Sequence, residues 1–424
     1  MVDIAPIRGL LYNQAKIGSM ADVITPPYDI ISPQEQRQYQ LRSQFNIIRL
    51  ILNPSTEPYE EAAKLFRQWQ GENVLIRDGD PTIYVYRQEF KVKDKILTRT
   101  GFIAGSFLED FGSKSGVHAH EYTLNKPKED RLNLMRACKA NFSPIFYLYN
   151  DEDKKIAGIL KMVARELPAI NVNDDKSVRH KLWRLPGSVK GKLVTAMKDK
   201  QVFIADGHHR YEAALKYKRE RQKEDGNAPG PHLYDYVMAM YVAADDPGLV
   251  IFPTHRLLQV PDFDLAAFLH KMHRIFDLEE VGSLSEQLGK MDAAKDKNAF
   301  GAYCDGNYYV FTMKTSSDIN ALIKEDKPLE WKTLDVTVLQ KVIIEDILGI
   351  PAEAIANEQG FAYTRDEAKA IKMVDDGQFT IAFFLNATKI SQVIEVANKG
   401  ERMPQKSTYF YPKLTTGLVI NKLD

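Results

Sequence analysis

The sequence predicts an α+β fold in two regions, residues 1–260 and residues 261–424, the second of them of α/β type. Three observations lead there. In the first region strand-like and helix-like runs follow one another irregularly, and two long strand signals, TIYVYRQEF and ILTRTGFIAGSF, stand almost side by side. Gln201–Leu215 (QVFIADGHHRYEAAL) passes from a short apolar strand through Asp-Gly into an amphipathic helix. Beyond about residue 261, shorter helices and strands alternate, and an Asp-Gly-Asn turn joins GAYCD to YYVFTM as a hairpin.

Taken in order, a Pro-punctuated segment (ADVITPPYDIISPQEQ) leads to a helix from Ser32, a strand NIIRLIL and a helix over Tyr59–Gln70. The two long strands follow. A Gly/Ser/His-rich loop then passes into the charged helix DRLNLMRACKAN and the strand SPIFYLY, with further helices at Lys154–Arg165 and Val189–Met197. YDYVMAMYVAA and VIFPTHRLL supply a sheet centre. In the second region helices are expected at Leu265–Ile275, Ser283–Met291, Thr337–Leu348 and Arg365–Asp375, then a strand TIAFFLN and a helix SQVIEVANKG.

At 424 residues the chain has ample core. Its 57 basic and 57 acidic side chains cancel, so no overall field favours nucleic acid or a membrane surface, and neither is expected as a partner. No run approaches the roughly 20 apolar residues that a membrane helix needs. The start, MVDIAPIRGLLYN, lacks the pattern of a signal peptide, and Cys138 and Cys304 are too few for a disulfide framework. A cytoplasmic location is expected; the oligomeric state is not legible.

The Gln201–Leu215 stretch carries the most chemistry. A strand-turn-helix aims main-chain N–H groups and the positive end of the helix dipole at one point, which attracts phosphate. Asp206 suits the helix start, Gly207 lets the backbone turn and a ligand approach, and His208, His209 and Arg210 add donors. An ordinary turn with surface or capping histidines would explain the histidines alone.

Two further clusters are polar. In GERMPQKSTYFYPK, Lys406, Ser407 and Thr408 imitate part of a P-loop, but the Gly-x-x-x-x-Gly-Lys frame is missing; the segment is either a phosphate-contacting arm or an ordered tail. In GVHAHEYTLNKPKEDR, His118, His120 and Glu121 could bind a metal or Glu121 could serve as a base, with Lys126 and Arg131 neutralising phosphate; a solvated loop is the rival. No definite metal ligands emerge. Asp29 in TPPYDIIS is a second candidate base or a cap, and His255 and Arg256 in FPTHR stand at a strand where substrate or a structural ion pair would fit. No Gly-x-Ser-x-Gly elbow and no Gly-x-Gly-x-x-Gly fingerprint occurs, which disfavours a serine hydrolase and a dinucleotide enzyme.

DGHHRYEAAL resembles the nucleotide-binding turn of the ParB/sulfiredoxin superfamily, and IAPIRGLLYN, DVITPPYDIIS, HEYTLNKPKEDR, SPIFYLY, FPTHRLL and MPQKSTYFYPK resemble the domain-of-unknown-function-1015 family. The resemblance implies a mixed-sheet nucleotide-binding core, ATP or ADP with Mg²⁺ as cofactors, and phosphate contacts from Gly207, His208, His209 and Arg210. Sulfiredoxins carry a reactive cysteine where His208 stands, and partition proteins add a basic helix-turn-helix, of which this neutral chain shows no obvious counterpart. What remains is a kinase of a small hydroxylated metabolite, free serine being one candidate, with Asp29, Glu121 and His209 as candidate catalytic groups. The alternative is a nucleotide-binding regulatory or partner-binding protein without small-molecule turnover.

Overall fold

In the computed structural model, which describes every residue except Ser113, Lys114, Leu124 and Glu358, the chain divides into two compact units. The first comprises residues 1–119, 123–250 and 412–424; the second comprises residues 120–122 and 251–411. Among the described residues no helix is long and apolar enough to cross a membrane.

The first unit is built on a nine-stranded mixed sheet. Its strands are β1 (Ile4–Ala5), β2 (Tyr84–Val92), β3 (Lys95–Phe107), β4 (Val117–His118), β5 (Ile145–Tyr149), β6 (Ile170–Asn173), β7 (Arg179–Arg184), β8 (Val202–Asp206) and β9 (Tyr236–Ala243). They lie in the order β4-β8-β5-β9-β3-β2-β7-β6, with β1 added beside β3. β4–β8 and β5–β9 run parallel and the other pairs antiparallel. One face carries the core: Phe102, Ala104, Tyr147, Val202, Ile204, Ala239 and Tyr241 meet residues of the helices α1 (Asn125–Cys138), α2 (Lys155–Val163), α3 (Gly187–Met197) and α4 (His208–Glu224).

The opposite face receives residues 412–416. Gln88 donates to the Lys413 carbonyl at 3.1 Å, the buried Arg99 donates to that of Pro412, and Thr415 reaches His180. The tail then ends in Ile420–Lys422, which pairs with Gly9–Tyr12 and Ala140–Asn141 in a small antiparallel sheet.

In one early segment the sequence reading fails. NIIRLIL was expected as a strand but forms a short helix, Ile48–Ile51, with Ile48, Leu50 and Ile51 buried. A short apolar run carries no period that separates strand from helix, and Asn46 decides locally by accepting the Ile48 N–H at 2.9 Å.

The second unit holds a six-stranded sheet of β10 (His255–Leu258), β11 (Phe276–Val281), β12 (Ala299–Cys304), β13 (Asn307–Met313), β14 (Phe361–Thr364) and β15 (Ile381–Leu385), ordered β11-β13-β12-β15-β10-β14. Every pairing is antiparallel. The expected α/β character is therefore corrected to α+β: alternating helices and strands do not make a parallel sheet when hairpins such as β12–β13 set the direction. The stretch expected to be helical at Thr337–Leu348 is a π-helix over Leu339–Ile347.

Candidate functional site

The turn after β8 is shaped by a main-chain irregularity. β8 keeps register with β5 through Ile204 opposite Tyr147, then slips so that Asp206 stands opposite Phe146. Strict alternation would send Asp206 to the helical side with Val202 and Ile204; the bulge releases it from that alternation. Its carboxylate meets Lys413 of the tail and, at 2.6 Å, the Arg210 guanidinium.

Gly207 follows as the N-cap of α4 with φ 95° and ψ 25°, a left-handed conformation that favours glycine. It offers no capping side chain, so nothing from the cap itself takes up the first-turn N–H groups. Arg210 folds back over it: a Cβ on Gly207 would stand 2.9 Å from Nη2. Arg210 Nη1 also donates to the Pro144 carbonyl at 2.6 Å. His208 is buried and His209 half-buried. Farther along α4, the buried Tyr211 donates its hydroxyl to the Glu109 carbonyl at 2.7 Å and fixes the helix on the core.

Two more of the sequence motifs converge here. Arg131 of α1 lays its guanidinium 4.0 Å from the centre of the Tyr28 ring and donates to Asp130 at 2.8 Å and to the Ile51 carbonyl at 2.9 Å. Tyr28, Arg131 and Arg210 together line a cavity of about 40 Å³. Burial, reinforced by Asp29, pushes the Tyr28 hydroxyl up to about 12 despite Arg131 and Arg210. Asp29 itself is exposed in the turn Tyr28–Ile30. Behind the turn lies Arg99, wholly buried against the Phe146 ring at 4.8 Å. Burial brings its guanidinium down to about 10, opposed in part by the field of Tyr86, Asp246 and Asp206.

Lys126 stands apart from these groups. It is exposed at a wide groove between α1 and α4, where Lys128 and Thr123 hold Glu212 at 3.0 and 2.7 Å.

His120, Glu121, His255, Arg256, Lys406, Ser407 and Thr408 belong to the second unit. There Glu121 bridges to Met403, and its carboxylate accepts the Lys406 N–H at 2.9 Å while its carbonyl accepts from Arg402 at 2.8 Å. His120 Nε2 and Thr408 Oγ1 stand 3.1 Å apart. Ser407 is buried and donates to the Pro404 carbonyl; the Lys406 side chain is exposed. His255 is enclosed in the core, its Nδ1 accepting from the Leu385 N–H at 3.3 Å and its Nε2 3.4 Å from Glu367. Among the described residues, no three His, Cys, Asp or Glu side chains gather in a way that could hold a metal ion.

The sequence reading assigned no individual role to Lys413, Tyr28 or Arg99. The first two lie inside quoted motifs, and Arg99 interrupts an apolar strand run, which is the only local signal it offers.

Residues 4–337 match the model of a family described as "Protein of unknown function (DUF1015)". The chain belongs to that family. The DUF1015 match includes Asp206–Arg210 and ends before Lys406 and Lys413. Among solved structures, this DUF1015 chain is similar to a conserved hypothetical protein from Pyrococcus furiosus, at 13% identity over 70% of this chain and 89% of that one, with a TM-score of 0.34. It is also similar to a free serine kinase in complex with AMP (12% identity, 70% and 83% covered, TM-score 0.34) and to SbnI with a C-terminal truncation from Staphylococcus aureus (11%, 71% and 82%, 0.34). No match was found among curated proteins.

Proposed function

We propose that this protein is a nucleotide-dependent phosphotransferase that uses ATP or ADP with Mg²⁺ to phosphorylate a small hydroxylated metabolite, free serine among the candidates, on a ParB/sulfiredoxin-like core. One observation carries the reading: at a glycine-capped helix start, a single carboxylate, Asp206, faces two cations in contact, Arg210 and Lys413, with Arg99 buried behind. Two cations meet that carboxylate at the point where the helix dipole is also positive.

Phosphoryl transfer asks mainly for positioning and charge neutralisation. Arg210 and Lys413 would neutralise the phosphate oxygens, and the Gly207 backbone would admit them closely. Mg²⁺ takes one or two carboxylates and fills its remaining positions with phosphate and water; Asp206 fits that demand once Lys413 turns to the phosphate. Asp29, exposed beside Tyr28, is the candidate base in the first unit. His209 is the rival base in that unit, where Lys126 and Arg131 are candidate substrate contacts; Glu121, the other candidate base, lies in the second unit with Lys406, Ser407 and Thr408, candidate phosphate contacts, and His120, His255 and Arg256, candidate substrate contacts. A reducing cytoplasm suits Cys138 and Cys304, both free thiols.

The test is phosphorus NMR of the purified chain with Mg²⁺, ATP or ADP and a panel of hydroxyl compounds that includes serine. A phosphomonoester formed by the wild type and abolished in Arg210→Ala and Lys413→Ala is expected. Nucleotide binding without acceptor-dependent product would replace the kinase by the regulatory reading, and absence of any nucleotide binding would remove both.

A further inference from the structure

The second unit contains a cavity of about 280 Å³ whose lining combines two guanidinium groups with aromatic rings. Arg256 is 7% exposed. Among the described residues its hydrogen bonds go to main-chain carbonyls, those of Thr254 at 2.6 Å, Gln405 at 3.2 Å and Lys406 at 3.0 Å, and its guanidinium lies 4.8 Å from the Tyr363 ring. A charge removed from water this far favours an anionic partner. Arg402 also lines the cavity, over the Tyr122 ring at 5.6 Å. Trp331, Phe361 and Ile344 supply apolar wall, Ile344 from the π-helix, a rare element frequent at functional sites.

We propose that this cavity binds a small monocarboxylate with a flat apolar body. The size fits, since an apolar cavity of about 150 Å³ already holds one benzene ring. Charge selects the anion: carbonyl oxygens and the Glu121 carboxylate already act on Arg256, which suits one carboxylate better than a phosphate dianion. The proposal is independent of the Asp206 turn, because every residue it uses lies in the second unit.

Isothermal titration of the full chain with phenylacetate, 2-phenylethanol and acetate tests it. Phenylacetate should bind saturably, and both the neutral alcohol and the ring-free acetate should bind at least about tenfold more weakly. Arg256→Gln should weaken phenylacetate at least about tenfold. Because Arg256 also ties down backbone, Ala352→Trp, on the exposed rim, blocks the cavity without touching the core and decides the matter if the first variant fails to fold. Absence of saturable phenylacetate binding, equal binding of the alcohol, or full affinity in Ala352→Trp would overturn the proposal.

Discussion

Replacing Gly207 by Ala puts two separable strains on the turn. The backbone at φ 95° costs an L residue about 1–2 kcal/mol. The new methyl also stands 2.9 Å from Arg210 Nη2 and 3.1 Å from Cζ and Nε, so Nη2 must move away from Asp206. A hydrogen bond involving a charged group contributes about 1.5–3 kcal/mol, and Lys413 still holds Asp206, so the lower end applies and the total is about 3 kcal/mol. With Arg210→Ala already present, only the backbone cost remains. The double-mutant cycle should therefore show a coupling of about 1.5 kcal/mol. Urea unfolding by tryptophan fluorescence reads it in a Trp331→Phe background, where the signal comes from Trp69 and Trp183 of the first unit. An equal cost in both backgrounds would show that the methyl does not meet Arg210; no cost in either would refute the left-handed turn.

Asp335 gives a pH-dependent prediction. Burial raises its carboxyl to about 7, against lowering by the Asn298 amide and Lys389. A raised folded pKa means that its contribution to stability is complete below the unfolded value near 3.8 and is lost as pH rises through 7. Asp335→Asn should match the wild type at pH 4 and exceed it at pH 8. At about 1.4 kcal/mol per pH unit the ceiling is about 4 kcal/mol, reduced because the side chain is only half-buried; denaturation curves at the two pH values measure it. Burial also pushes the thiols of Cys138 and Cys304 up to about 12. A disulfide-exchange reagent at pH 8 should label neither in the native protein and both after unfolding, as thiol counting will show.

Where the sequence was legible, the relevant physics was short-range. Val202–Ala205 as strand, Gly207 as the turn and Tyr211, Ala214 and Leu215 as the buried stripe of a helix follow from neighbours a few residues apart. The partners of that turn do not. Lys413 lies 207 residues from Asp206, and only the fold of the tail over the sheet brings them together. The bulge that turns Asp206 away from the core is likewise a property of pairing with β5. His118 and His120, two residues apart, go to different units, because His118 continues β4 while His120 joins the strip beside Met403. The second sheet was misread for a related reason: alternation of helices and strands is local, and strand direction is not.

The closing of the first unit by residues 412–424 sets an order of events in biosynthesis. Asp206 and Arg210 are made together, but the second cation arrives only after residues 251–411 have been synthesised. Until then the turn holds one carboxylate against one guanidinium. A chain interrupted anywhere in the second unit would retain the strand, glycine and helix yet lack the lysine. Completion of the proposed anion site therefore requires that the inserted unit has been read through.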